Sequence, residues 1–179
     1  MVSYKKIKPI INKHVILAVL VYLLWVIGFA IYSFQEKKLA LYGSIDQQLE
    51  TAALTTPMLL PAGLHHNAMS ASDLTEQQDY NNTLILSEYT DSSDVIYIYT
   101  LILRNNKVFF TTSSATPEER NSGEGISSWF DHYDDVDPRV SELFDKGEKA
   151  FLEYTDQWGT FRTVFIPQLS DDGTFYLAA

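Results

Sequence analysis

Arg162 is the only basic residue after Arg120 that falls inside a strand-like run, TFRTVFIPQL at 160–169. A guanidinium in a sheet facing a pocket can grip a carboxylate through two parallel hydrogen bonds. The competing expectation is a structural ion pair with Asp156, across the Trp158-Gly159 turn. Aromatic residues crowd the same segments. Tyr97 and Tyr99 share one face of an alternating strand, and Phe110, Tyr154, Trp158 and Phe165 stand on others. Small-molecule sites are concave and mostly apolar, with a few polar groups to fix orientation, and such walls suit that use. Plain core packing is their other use, since a buried tyrosine needs only one local hydroxyl partner. Ser113, Ser114 and Tyr133 border a long polar loop, where they either face a ligand or serve as turn and capping groups. The candidate ligand-binding set is therefore Tyr97, Tyr99, Ser113, Ser114, Tyr133, Tyr154, Asp156, Trp158 and Arg162.

Other chemistry finds little support. Cysteine is absent, which removes thiol catalysis, disulfides and thiolate metal sites. No G-x-S-x-G elbow, P-loop, dinucleotide fingerprint or H-E-x-x-H occurs. His65 and His66 are adjacent, so on a helix they point about 100° apart and read as a surface pair beside a proline-rich bend. Asp131, Asp134, Asp135 and Asp137 with Glu142 supply hard ligands. Tyr133 and Val136, however, stand where a calcium loop needs an oxygen ligand and a glycine. No enzyme, metal or cofactor is expected.

The elements that position these residues follow from periodicity. Apolar residues at Leu39, Tyr42, Ile45, Leu49 and Ala52 or Ala53 give a helix over 35–55 with one sticky stripe, ended by Pro57, Pro61 and Gly63. A second helix runs from Ser72 or Thr75 to Tyr89, with Thr75 and Gln78 at capping-box spacing. Residues 95–103 (VIYIYTLIL) suit a central strand buried on both faces. Asn105-Asn106 turns it into a hairpin partner at 107–112. A long polar loop, 115–136, precedes a short helix capped by Asp137-Pro138 and stopped by Gly147. Strands at 151–156, 160–169 and 174–177 close an α+β layer of about five antiparallel strands.

Before all this, residues 15–34 (VILAVLVYLLWVIGFAIYSF) are 20 residues without a charge. As a helix they measure about 30 Å, the thickness of a bilayer's hydrocarbon core. Lys5, Lys6, Lys8 and Lys13 hold the N-terminus on the cytoplasmic side. A cleaved signal peptide with Gly28 and Ala30 at its cleavage site is the alternative. The apolar run continues through Ile31, Tyr32 and Phe34, which favours an uncleaved anchor. From residue 39 onward there are 7 basic and 22 acidic residues, a net −15, which excludes nucleic acid as a partner.

A basic tail, a membrane helix running into an exposed helix, and then VIYIYTLILRNNKVFFTTSSATPEE (95–119) and EYTDQWGTFRTVFIP (153–167) resemble the extracytoplasmic Cache (PDC) sensor domains of bacterial chemotaxis receptors, histidine kinases and diguanylate cyclases. The resemblance covers 39–179. It implies a PAS-like sheet, a pocket for a small extracellular solute, residence in a bacterial inner membrane with the domain periplasmic, and a homodimer through the long helix. The Arg-x-Trp-Tyr signature of amino-acid-binding members is absent, so no ligand class is implied. The expected organisation is a basic tail (1–14), a signal anchor (15–34), a helical region (35–90) and the sensor sheet (91–179). Ending inside a strand pattern, the sequence reads as the N-terminal piece of a longer receptor. A pilin-like or protein-docking module is the alternative. Lys13-His14 before the apolar stretch, and no acid before Glu36, speak against a pilin.

Overall fold

The computed structural model describes residues 13–66 and 70–179; residues 1–12 of the basic tail lie outside them. The chain divides into two compact units, Met1–Ser44 and Ile45–Ala179. Helix α1, Lys13–Leu59, belongs to both. In the first unit the apolar side chains of residues 15–34 are all exposed. By length and composition α1 is able to cross a membrane. Its end lies later than expected. Pro57 sits inside the helix rather than terminating it. A proline deletes one backbone donor, here the one that would meet Ala53, and the turn beyond it still closes.

The second unit contains α2 (Glu76–Asp91), α3 (Pro117–Ser122), α4 (Pro138–Lys146) and five strands, β1 (Tyr99–Arg104), β2 (Lys107–Ser113), β3 (Ala150–Asp156), β4 (Gly159–Leu169) and β5 (Phe175–Ala178). The strands form one antiparallel sheet in the order β2-β1-β5-β4-β3. Local chemistry explains the boundaries. Thr75 and Gln78 form the capping box of α2. Asn105 and Asn106 take positive φ of 49° and 61°, the left-handed pair that a two-residue hairpin turn requires. Asp137 caps α4 and Gly147, at φ 63°, closes it.

The first strand is shorter than its composition suggests. Pairing starts at Tyr99; in 95–98, Ile98 O still accepts a backbone bond from Ser114 N at 2.8 Å, but serine side chains meet two of the N–H groups. Ser93 Oγ accepts from Val95 N, and Ser114 Oγ accepts from Ile98 N at 3.0 Å.

Both faces of the sheet are covered. On one, Leu101, Phe110, Phe165 and Leu177 pack with Val140 and Leu143 of α4. On the other, Leu49 and Ala53 of α1 lie on Val164 and Ile166, and Leu86 of α2 joins Ala52 and Ile98. His65 is not a surface residue: it is 5% exposed beneath the chain after α1. Its ring stacks on Tyr176 at 3.7 Å, and Nε2 bonds the hydroxyls of Thr100 and Thr111, each at 3.1 Å. Two adjacent histidines said nothing about depth; the threonines and tyrosine that make burial tolerable come from three different strands.

Candidate functional site

A cavity of about 250 Å³ lies between 94–99, the first half of β4, and α1. All nine candidate residues border it. Its floor is a chain of phenols. Tyr99 of β1 and Tyr154 of β3, whose strands are separated by β5 and β4, bring their hydroxyls to 2.8 Å, and Tyr133 reaches Tyr154 at 3.4 Å. The Tyr133 hydroxyl also donates to Asp156 Oδ2. The other oxygen of Asp156 accepts from Trp158 N at 3.0 Å and Gly159 N at 3.2 Å, which fixes the β3–β4 turn. Burial pushes the phenols of Tyr99 and Tyr133 well above their ordinary range, and that of Tyr97 rises for the same reason. They are hydroxyls, not phenolates, at any physiological pH.

The rim is set by long-range contacts. Tyr97 donates to Glu119 Oε1 of α3 at 2.8 Å and meets Phe161 edge-on. Trp158 donates to Gly125 O at 2.9 Å and packs edge-on against Phe110 and Tyr133. Ser114 serves the backbone of Ile98, and Ser113 donates to Ser114 O. These two serines are both wall and turn groups. Phe165 is not part of the lining; it is fully buried behind Tyr99 and Tyr154.

The expected Arg162–Asp156 pair does not form. Arg162 grips Asp46 of α1 with both prongs of its fork, Nε to Oδ1 at 2.6 Å and Nη2 to Oδ2 at 2.8 Å. Nη1 donates to Glu153 at 3.0 Å. Strand alternation is the reason. Glu153 lies opposite Arg162 in the β3–β4 register, on the α1 side, whereas Asp156 shares the other face with Tyr154. The pairing holds the Asp46 carboxyl below its usual range and raises the guanidinium. With its fork on Asp46, Arg162 is not placed to grip a ligand carboxylate.

The long loop is no loose lid. Phe110 N donates to Asp131 O, Phe130 N to Phe110 O and Tyr133 N to Val108 O, which lays the loop along β2. Trp129 N donates to Asp79 of α2 at 2.9 Å. The acidic cluster is divided among local tasks: Asp131 accepts from Ser128 N, Asp135 from Gln157 N, and Asp137 from Arg139. Leu49 and Ala52 of α1 and Phe161 of β4 complete the cavity wall. The apolar stripe of α1 and the pleat of β4 contain the signal for these three, but only the tertiary fold joins them.

No family model matches the chain, and no curated protein matches it. Among solved structures, the sensory domain of the Campylobacter jejuni chemoreceptor Tlp3 (CcmL) is similar over 78% of this chain, at 18% identity and a TM-score of 0.33. This chain spans 62% of that one. At that score no residue is carried across.

Proposed function

We propose that the chain is a membrane-anchored extracytoplasmic sensor domain that binds a small solute in this cavity and passes the consequence to α1. One observation carries the reading. The helix that contains the membrane-length apolar stretch also lines the cavity, through Leu49 and Ala52, and is clamped through Asp46 to Arg162 on the cavity's own wall. A solute that presses on this wall favours one arrangement of helix against sheet over another, and that difference in affinity is the signal. In this reading the N-terminus is cytoplasmic, the sheet unit faces outward in a bacterial inner membrane, and two copies associate along their long helices, as in the Cache-type receptors the sequence resembles. The mechanism has no catalytic step and no nucleic-acid partner.

The test is a thermal-shift screen of the full chain in detergent micelles against organic acids, amines, amino acids, sugars and divalent cations. A solute at 100 times its dissociation constant adds about 2.7 kcal/mol to the folded state. A saturable rise in melting temperature, lost in Ala52→Trp, which fills the cavity from the helix side, supports the proposal. A cooperative transition that no class of solute moves overturns it.

A further inference from the structure

The indole of Trp158, the phenol of Tyr97 and the guanidinium fork of Arg162 all donate to protein acceptors. Trp158 Nε1 donates to Gly125 O, and the Tyr97 hydroxyl donates to Glu119. Arg162 is bonded to Asp46 and Glu153. A carboxylate only accepts, so Asp156 takes the proton of Tyr133. The Tyr99 and Tyr154 hydroxyls bond each other at 2.8 Å, and the Tyr154 oxygen also lies 3.4 Å from the Tyr133 hydroxyl. What the floor offers a guest is oxygen lone pairs, aromatic faces with negative quadrupoles, and carboxylate charge at Asp156 and Asp94. Near Arg162 two carboxylates outnumber one guanidinium. Such a wall repels an anion and suits a cation rich in donors.

Resting on the reading of this cavity as a ligand site, we infer that it takes a cationic amine, with the ammonium group against the phenol oxygens and the organic part between Phe110, Trp158 and Phe161. A carboxylate would find no free fork. A neutral alcohol would bring one donor where an ammonium brings three.

The experiment compares three probes of one skeleton on the full chain in micelles: 2-phenylethylammonium, 2-phenylethanol and 3-phenylpropanoate. The ammonium alone is expected to raise the melting temperature saturably. Asp156→Asn replaces an acceptor with a group able to donate into the chain. It should weaken ammonium binding by about ten- to a hundredfold, because the wall beside the ammonium loses its negative charge. Tyr154→Phe removes one phenol oxygen and should weaken it by about tenfold, so the test survives if Asp156→Asn fails to fold. An equal or larger shift with the propanoate or the alcohol overturns the amine assignment and leaves the ligand site standing. No shift with any of the three also overturns it, and the broad solute screen then decides the site itself.

Discussion

The two faces of the sheet are filled in different ways. Against α1 and α2, side chains from helix and strand meet directly: Ala52, Ala53 and Leu86 are essentially fully buried, and even His65 finds two hydroxyls and a ring. The opposite face is closed by α4 at one end; at the other, aromatic rings stand around a cavity that reaches past β4 to Leu49 and Ala52 of α1. The same pleat supplies both. Small residues on α1 let the helix sit close, while the tyrosines meet tip to tip through their hydroxyls. Close packing secures the first face, and directed polar bonds join the rings around the cavity.

The contrast can be broken from either side. Leu101→Ala, fully buried in the sheet core, should destabilise the full chain by about 3 kcal/mol in thermal melts. Phe161→Ala, on the cavity wall, should cost about 1 kcal/mol because its ring is only partly covered. Equal losses would mean that the cavity face is packed like the core. His65 gives the second-largest effect. Burial lowers its pKa to about 4 from an ordinary 6.5, with the neighbouring His66 contributing to the same shift. The unfolded chain therefore binds the proton more readily. Stability from neutral His65 is fully present above pH 6.5, falls as the pH drops toward 4 and then levels off, a span of about 3 kcal/mol. Melts at pH 7, 5.5 and 4 should show this slope, and His65→Gln should flatten it.

Removing the clamp should cost less. The Arg162–Asp46 pair is partly exposed, with side chains at 24% and 28%, so Arg162→Ala should lower stability by about 1 kcal/mol at pH 7. The Asp46 carboxyl is held low, so its contribution is present above the ordinary carboxylate pKa and lost as the pH falls through its folded value. Below that point the variant and the parent should converge. The smallest perturbation is a label. The chain has no cysteine, so Ser122→Cys at the exposed end of α3 offers one thiol at almost no cost in stability. In intact bacterial cells a membrane-impermeant maleimide should reach it; protection until the membrane is opened would place the sheet unit inside.

Much of the arrangement is written in local pattern. The asparagine turn, the Thr75 and Asp137 caps and the hairpin around Trp158-Gly159 are short-range chemistry, and the sequence places them within a residue or two. The β3–β4 register even contains the reason why Arg162 opposes Glu153 and not Asp156. The partner Asp46, 116 residues away, does not follow from any local rule, because only the packing of α1 on β4 brings it there. The early departure of 95–98 from the ladder was hidden for a related reason. Serine hydroxyls satisfy backbone groups that apolar composition assigns to a strand. The cavity residues were legible as aromatic faces, but the bonds among their hydroxyls join three separate segments that only the tertiary fold brings together.

The central claim is that the cavity and α1 move together. The most direct measurement is amide hydrogen exchange on the full chain in micelles, with and without saturating 2-phenylethylammonium, read over residues 45–59 and 159–165. The account predicts that protection changes in both segments and that Arg162→Ala keeps the change at 159–165 while losing it at 45–59. A change confined to the cavity wall in the parent chain, with the helix unaffected, would contradict it.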